Sequence, residues 1–413
     1  MTDTPQVAPN QTDEKQSMAE FIGLIALLIS MVALTIDTML PALPAIGSSL
    51  GVADANDTQF VVSLFFLGFA VGQLIYGPVS DSIGRKRAIM AGLLLFAFGC
   101  FLSLISHDFE TMLIGRILQG LGVAAPRTVT MAIVRDRYAG RGMARIMSFA
   151  MAVFILVPVV APSIGQLILT VLNWHAIFIF LVVLGAIAAT WMTLRLPETL
   201  APENRMPLSF KRVGRATIET CTNRAALGYT IAAGLILGAF IGYLTSSQQI
   251  FQDIYAVGEM FPIYFSVMAL SIGVSSFLNA RLVVRFGMRL LSFIALSAMV
   301  VISIVFLGIE LSIGHDLPLW AFMVWGVGSF FWVGLLFGNL NALAMEPLGH
   351  IAGTASAVVG AGSTMLALIF GSLLGQAYNG TAQPMLAGFA VLGSLGIITM
   401  LVTNKGLKHG SIG

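Results

Sequence analysis

The chain has 413 residues, of which 57% are hydrophobic and only 10% are charged, and its mean hydropathy is +0.93. Soluble domains carry about 25% charged residues, so the composition excludes a soluble protein and predicts an integral membrane protein. The formal net charge of +2 gives no indication of a nucleic-acid partner. The two cysteines and five histidines form no metal-ligand pattern, and we expect no metal site and no cofactor.

The N-terminal segment, residues 1–18, is polar and slightly acidic. It lacks the basic start and the short apolar core of a cleavable signal peptide. We therefore expect a disordered cytoplasmic tail, followed by a first spanning helix that directs insertion.

Twelve apolar runs follow, each of about 20 residues, which is long enough to cross a bilayer as a helix. The sequence therefore predicts an all-α membrane protein with twelve transmembrane helices in two pseudo-symmetric six-helix bundles. The predicted spans are residues 19–44, 58–80, 87–106, 109–134, 144–170, 174–196, 225–250, 260–281, 288–312, 317–343, 351–377 and 383–403.

The longest polar segment, residues 197–224, separates the sixth and seventh spans and contains three prolines. It predicts a cytoplasmic linker between an N-terminal bundle (19–196) and a C-terminal bundle (225–404), with residues 405–413 as a second cytoplasmic tail. An internal repeat supports the two halves, because "GPVSDSIGRKR" follows the second span and "ARLVVRFGMRL" follows the eighth.

The basic residues indicate the orientation of the chain. All 21 Lys and Arg residues, except Arg116 and Arg127 inside the fourth span, fall in the predicted cytoplasmic loops and tails. Cytoplasmic loops carry an excess of Lys and Arg. We expect a multi-pass protein of the bacterial inner (plasma) membrane with both termini in the cytoplasm.

Asp37 lies in the first span, where a charged side chain costs about 3 kcal/mol or more. Counted from the predicted outer ends of their spans, Asp37 and Arg116 both lie about 10 Å deep. They could pair directly or share one water-filled cavity. Asp37 could also be a buried group that only fixes the first span against the fourth. Alternatively it binds a proton, which it gains or loses as water access changes.

Helical spacing places Arg116, Gln119, Gly120, Val123 and Arg127 on one stripe of the fourth span. Two arginines and an amide are too polar to face lipid, so this stripe is predicted to line the interior. Gln119 and Arg127 are candidate substrate-cavity residues, although Arg127 could equally have a structural or gating role.

The fifth span contains Pro158, Pro162 and Gly165, which favour bending and conformational change. The second half has fewer polar side chains that could line a cavity for an apolar substrate, and packing is an open alternative for each aromatic. The candidates are Tyr243, Gln248, Phe331, Trp332 and Asn339.

Over residues 19–404 the chain resembles the major facilitator superfamily, specifically the twelve-helix drug:proton antiporters of the bicyclomycin-resistance and chloramphenicol-efflux (Bcr/CflA) type. "DTMLPALP" (37–44), "RILQGLG" (116–122), "VRDRYAGRGMAR" and "PLGHIAGTASA" are similar to motifs of that branch. The resemblance implies a proton-coupling role for Asp37 and Arg116. The loop signature G-x-x-x-D-R-x-G-R-R is matched at Gly77, Asp81, Gly84, Arg85 and Lys86.

The resemblance implies that this loop braces the two halves, with Asp81 facing the start of the eleventh span near Gly353. We assign a conformational-gate role to residues of the loop and of the other motifs. They are Gly77, Asp81, Gly84, Arg85, Lys86, Asp136, Pro158, Pro162, Gly165 and Gly353.

The resemblance implies a proton-coupled secondary exporter of small, mostly apolar molecules that works by alternating access. Its expected partners are a small-molecule substrate, protons and the lipid bilayer, and we expect a monomer. The alternative on the same fold is proton-linked uptake or export of an endogenous, possibly anionic, metabolite. A membrane sensor is a further class, and the sequence shows no constellation of catalytic residues that would indicate an enzyme.

Overall fold

The computed structural model describes residues 17–138 and 140–410, and within these ranges it contains helices and no strand. The prediction of an all-α protein is confirmed, while the predicted tail at residues 1–16 lies outside the described part. The α-helices of the described part are α1 (Met18–Asp37), α2 (Leu43–Ser49), α3 (Phe60–Ile83), α4 (Arg85–Leu104), α5 (Phe109–Arg137), α6 (Gly140–Val171), α7 (His175–Arg195), α8 (Phe210–Thr222), α9 (Arg224–Gln249), α10 (Phe261–Phe286), α11 (Met288–Ile313), α12 (Leu319–Met345), α13 (Ala352–Gln376) and α14 (Gln383–Gly410).

Eleven segments of the described chain are long and apolar enough to cross a membrane. The longest, Leu319–Gln376, contains both α12 and α13, which a 3₁₀ turn at Glu346–Ile351 joins. All helices except the short α2 and the polar α8 can therefore span a bilayer, which confirms the predicted twelve.

The first predicted span was wrong at its end, because α1 stops at Asp37 instead of continuing to residue 44. A 3₁₀ turn at Leu40–Ala42 follows, and then α2. Pro41 explains the break, since a proline ring clashes with the carbonyl four residues earlier, here that of Asp37, and donates no hydrogen bond. The buried aspartate therefore lies at a helix end.

Two further boundaries differ from the prediction. The segment between the bundles contains a helix, α8, whose start Ser209 caps by accepting a hydrogen bond from the backbone N–H of Arg212. At the other end of the chain, α14 continues to Gly410 beyond its predicted end at residue 403. Both helices extend into polar sequence, where an apolar run no longer marks the helix.

The two bundles meet along two pairs of helices, α3 with α13 and α6 with α10. These pairs are equivalent under exchange of the two halves. The internal repeat is also visible in the backbone: Gly84 has φ 105° and ψ 153°, and Gly287 has φ 76° and ψ 154°. A positive φ of this kind favours glycine, so the same residue ends α3 and α10 for the same reason.

Candidate functional site

Asp37 is buried, with only 4% of its surface exposed, at the point where α1 ends. Its neighbour Thr38 is also buried, and its hydroxyl has no hydrogen-bond partner in the described part of the protein. A buried carboxylate inside a membrane-spanning bundle is costly, so such a group marks a candidate functional site.

Arg116 of α5 is completely buried. Its Nε donates to the carbonyl of Val61 at 2.7 Å, and its Nη1 donates to Oε1 of Gln119 at 2.6 Å. Both terminal nitrogens lie 3.5 Å from the carbonyl of Thr35, and the guanidinium lies 4.9 Å from the ring centroid of Phe65. Arg116 therefore joins α5 to α1 and α3.

Of the two arrangements open from the sequence, the structure does not form the direct pair. No ion pair within 4.0 Å links Asp37 and Arg116 among the described residues. Arg116 instead donates to a carbonyl two residues before Asp37, because the backbone there offers acceptors that match the forked guanidinium. Arg116 thus holds the end of α1 through the backbone, and the Asp37 carboxylate is not engaged in an ion pair with it.

Tyr243 of α9, in the other bundle, is close enough to Asp37 for the two groups to interact electrostatically. The tyrosine is completely buried, and its hydroxyl has no hydrogen-bond partner in the described chain. Its ring packs against Phe265 and Phe330, with centroids 5.7 and 4.6 Å away. An unused donor is thus fixed near a buried carboxylate, a pairing that the sequence did not predict.

Gly165 of α6 lies directly against the break after α1. A Cβ atom built at Gly165 would lie 2.1 Å from the carbonyl oxygen of Thr38. No side chain fits at that distance, so glycine allows the backbone of α6 to reach the residue next to Asp37. Gly165, which the sequence suggested as a helix-bending residue, therefore allows close contact between α6 and the end of α1.

The polar stripe of α5 turns inward, as predicted, and its members have different surroundings. Gln119 is completely buried, and its Nε2 donates to the carbonyl of Gly99 at 3.1 Å and to the hydroxyl of Ser103 at 2.9 Å. These bonds hold it inside the N-terminal bundle, next to Arg116. The guanidinium of Arg127 lies 5.6 Å from the ring centroid of Phe154 on α6.

The remaining candidates of the second half are spread along α9 and α12. Asn339 is buried and exchanges two amide hydrogen bonds with Asn279 of α10, at 3.0 and 2.9 Å. Phe331 and Trp332 are half-buried, with their rings 5.2 Å apart, and Gln248 is buried. Among the candidates of the second half, Tyr243 is the one with an electrostatic interaction with Asp37 in the described part of the chain.

The loop between α3 and α4 forms a charged cluster around Arg85. Its guanidinium pairs with Asp81, donates to the carboxylate of Asp136 at 3.0 Å and donates to the hydroxyl of Ser80 at 2.7 Å. The Arg85 side chain is only 7% exposed, and its backbone N–H donates to Glu198 at 2.8 Å. Asp136 is thus bonded to a residue of the loop signature. All the groups of this cluster lie before the C-terminal bundle in the sequence.

The other loop residues are arranged similarly. Lys86 donates to the carbonyls of Thr193 and Leu196 at the end of α7, at 2.7 and 2.9 Å. Gly77 faces Ala357 of α13 across the bundle interface. The group found nearest to Gly353 is Nη2 of Arg135, whereas the side chain of Asp81 is engaged by Arg85.

Pro158 and Pro162 both lie inside α6, at the face between the bundles. Val159, between the two prolines, accepts a hydrogen bond of 2.5 Å from the hydroxyl of Ser266 on α10. Ile155 lies on the same stretch and approaches Gly273 of α10. The proline region is therefore one of the contacts between the two halves.

Sequence reasoning missed a group of amides that closes one end of the molecule between the bundles. We call Asn56, Gln59, Gln249 and Gln376 the amide cluster. Gln59 donates to Gln249 at 2.5 Å, and Gln249 donates to Asn56 at 2.9 Å. Asn56 and Gln376 are joined by bonds from each amide to the other's backbone carbonyl, at 3.4 and 2.9 Å. The only available signal was a polar side chain near the predicted outer end of three separate spans.

The whole arrangement of paired helix bundles can be compared with known proteins. Residues 25–372 match the family model described as Major Facilitator Superfamily. The chain belongs to the major facilitator superfamily. Members of this superfamily are transporters, so the chain is a multi-pass membrane transporter and not an enzyme.

Two relatives and one solved structure extend this result. The chain is 30% identical to a bicyclomycin resistance protein homolog of Haemophilus influenzae, over 96% of this chain and 99% of the relative. It is 25% identical to multidrug resistance protein D of Escherichia coli, over 94% and 98% of the two chains. A peptide transporter solved in complex with sulfate matches with a TM-score of 0.71 at 15% identity, over 97% and 98% of the chains, and supports the fold.

Proposed function

We propose that this transporter is a proton-coupled exporter of small, mostly apolar molecules that works by alternating access. It would lie in the bacterial inner membrane with both termini in the cytoplasm, as the distribution of Lys and Arg predicts. The single observation on which the proposal depends is Asp37, a buried acid at a helix end where the two bundles meet. The names of the two relatives, a bicyclomycin resistance protein homolog and a multidrug resistance protein, support export of drugs.

In this mechanism Asp37 binds a proton from the outer side and releases it to the cytoplasm. Each proton that moves inward down the membrane potential yields about 2.3 kcal/mol per 100 mV. Arg116, already bonded to three oxygen acceptors, keeps the end of α1 in place during this exchange. The free energy released by inward proton movement thereby acts at Asp37, at the interface of the two bundles.

Tyr243 gives the C-terminal bundle a group that responds to the state of Asp37. The Tyr243 hydroxyl forms no hydrogen bond within the described chain, so its interaction with Asp37 is electrostatic, and a hydroxyl dipole is attracted more strongly by a carboxylate than by a neutral acid. Protonation of Asp37 therefore weakens the attraction between the bundles at this point and favours their separation. The amide cluster is the second contact that must open before the outer side can reach Asp37.

The other candidate residues receive their roles within the same proposal. Arg127, Gln248, Phe331, Trp332 and Asn339 contribute to the substrate cavity, and Gln119 supports Arg116. The cluster of Arg85 with Asp81 and Asp136 stiffens the N-terminal bundle as it moves, because charged hydrogen bonds in a half-buried site resist distortion. We propose that the transporter acts as a monomer.

The decisive experiment compares Asp37→Asn with the unchanged chain in inverted membrane vesicles. Ethidium, chloramphenicol and bicyclomycin serve as probes under an imposed pH gradient. Asn keeps the volume and removes the exchangeable proton, so we expect gradient-driven accumulation of the probe to be lost while the protein still folds. The matched control is Asp108→Asn, since Asp108 caps α5 from an exposed loop and asparagine caps equally well. Undiminished pumping by Asp37→Asn would refute the mechanism.

The alternative cargo, an anionic metabolite, draws support from Arg127. Its guanidinium lies over the ring of Phe154, and no ion pair to it is found within the described residues. A cation beside an aromatic ring suits an aromatic or anionic solute. Arg127→Gln distinguishes the two: a loss of transport confined to anionic probes supports the metabolite, and equal transport of all probes supports the apolar cargo.

A further inference from the structure

Glu310 is an isolated acid near the end of α11, far along the chain from the proposed proton site. It is completely buried, and neither of its carboxylate oxygens has a hydrogen-bond partner within residues 17–138 and 140–410. Its position is defined by Gly314, which ends α11 with φ 70° and donates its N–H to the Glu310 carbonyl. An unpartnered buried carboxylate is costly and requires a compensating positive charge or a proton.

Two other groups, from different elements, are close enough to Glu310 to interact with it electrostatically. One is Asp316 of the loop between α11 and α12, and the other is Tyr255, which follows α9. One oxygen of Asp316 and the hydroxyl of Tyr255 are also buried without a described partner. Burial, with the nearby Glu310 and Asp316 carboxylates, raises the pKa of Tyr255, so this residue remains a neutral phenol.

The protein itself supplies no cation at this place. The sequence contains no Lys or Arg between Arg224 and Arg281, and none between Arg289 and Lys405. The remaining titratable groups coupled to the site are Asp253 and Tyr378, an acid and a phenol. His315 is exposed, and its ring contacts the backbone carbonyl of Asp316. No Lys or Arg is thus adjacent to these two acids in the sequence, and we infer that the compensating positive charge comes from solution.

We propose that Glu310, Asp316 and Tyr255 form a site for one small monovalent cation, a proton or Na⁺. Two acidic side chains and one phenol supply too few oxygens for Ca²⁺, which takes 6–8 ligands. In the described chain no group of three acidic, histidine or cysteine side chains could hold a metal ion. One monovalent cation, a proton or Na⁺, removes the repulsion between two full negative charges and leaves a single net negative charge shared by both acids.

The site is continuous with the amide cluster. Tyr255 follows the π-helical turn Ile250–Ile254, which begins directly after Gln249. The hydroxyl of Tyr378 lies 3.4 Å from Asp253, and the carbonyl of Tyr378 accepts a hydrogen bond from Asn56 at 2.9 Å. Occupancy of the site therefore stabilises the same end of the C-terminal bundle that contacts the N-terminal bundle.

The test measures thermal unfolding of the purified full chain in detergent, in a background of Asp37→Asn so that the proposed proton site does not titrate. This background is compared with the same chain carrying Glu310→Gln, from mildly acidic to alkaline pH, in N-methylglucamine chloride and in NaCl. The control is Glu259→Gln, which removes an exposed acid from the segment after α9, the segment that also contains Tyr255.

Without Na⁺, we expect the melting temperature of the background chain to fall by several degrees as pH rises, because loss of the proton leaves two uncompensated charges. Glu310→Gln should remove most of this dependence, whereas Glu259→Gln should preserve it. Recovery on adding NaCl at alkaline pH identifies Na⁺ as an occupant, and absence of recovery identifies the proton; both support a cation site. Identical pH and Na⁺ profiles with and without Glu310→Gln would overturn it.

If Glu310→Gln does not fold, Asp316→Asn takes its place, because Asp316 lies in a loop and is only half-buried. The same two outcomes then decide. Since no transport is measured, failure of the cation site leaves the role of Asp37 untouched, and failure of the Asp37 experiment leaves this site untouched.

Discussion

The amide nitrogen of Gln59 lies 2.5 Å from the side-chain oxygen of Gln249, and this hydrogen bond joins the two bundles. Gln59 precedes α3 and Gln249 ends α9, so the contact lies at the predicted outer end of both. Gln59 also donates to the carbonyl of Gly375 at 3.1 Å. Neutral amides join the bundles at this end, and neutral hydrogen bonds are weak enough to open in the transport cycle proposed above.

Gln59→Leu should therefore favour opening of this end. The substitution removes the two hydrogen bonds that Gln59 donates, and each lost neutral hydrogen bond costs about 1 kcal/mol, equivalent to about a fivefold change in the ratio of closed to open molecules. The measurement is the distance between spin labels at Ser48 and Glu259, both exposed, after the exposed Cys221 is replaced by serine. Gln252→Leu is the control, because the Gln252 side chain bonds to the backbone of Gly258 in its own loop. An unchanged distance distribution in Gln59→Leu contradicts the gate role.

Tyr243→Phe should uncouple proton movement from transport without unfolding the protein. The substitution removes the hydroxyl that interacts electrostatically with Asp37 and keeps the ring contacts with Phe265 and Phe330. Because the electrostatic surroundings of Asp37 change, we expect the pH profile of probe efflux to shift relative to that of the unchanged chain. Tyr264→Phe, with its ring stacked on Phe251, is the matched control. Overlapping profiles for Tyr243→Phe and the unchanged chain exclude a coupling role for the hydroxyl.

Gly165→Ala should destabilise the protein and stop transport. The new methyl group would lie 2.1 Å from the Thr38 carbonyl, so α6 must move away from the break after α1. Overpacking of this kind costs about 1–3 kcal/mol. Gly142→Ala, in the same helix, meets nothing closer than 3.6 Å and should be neutral or stabilising. Melting temperatures of the two variants test the difference, and equal values would show that α6 tolerates the shift.

Arg85→Gln should lower stability by about 3 kcal/mol, because it leaves the carboxylates of Asp81 and Asp136 without their shared cation. Thermal unfolding of the purified chain measures this loss. Arg87→Gln removes an exposed charge two residues away and should change the melting temperature little. Similar effects for the two variants would show that the cluster is only a surface feature.

The sequence predicted well those features that depend on local composition. The twelve apolar helices follow from hydropathy. Gly84 and Gly287 mark equivalent helix ends, because the backbone has a positive φ at both positions and glycine adopts that conformation most readily. Asp37 and Arg116 were recognisable as buried because charge is rare in lipid. In each case one residue and its neighbours along the chain contain the signal.

Partners that come from distant parts of the chain were not predictable. Arg116 donates to carbonyls of Thr35 and Val61, and every residue has a carbonyl, so no side chain in the sequence marks the acceptor. Gln59 and Gln249 meet across 190 positions. Glu310 was overlooked because it lies near a predicted span end, where an acid is usually solvated, and only the fold shows that it is enclosed.

The segment between the bundles is attached on both sides. The backbone N–H of Met206 donates to the carbonyl of Asp81 at 3.0 Å, and Glu219 of α8 bonds to His350 at 2.5 Å. The first contact belongs to the N-terminal bundle and the second to the C-terminal one. Only residues 207–209 lie between the first anchor and α8. Under the proposed alternating access, these residues are where the two anchors would separate, and their length limits that movement to about 10 Å when they are fully extended.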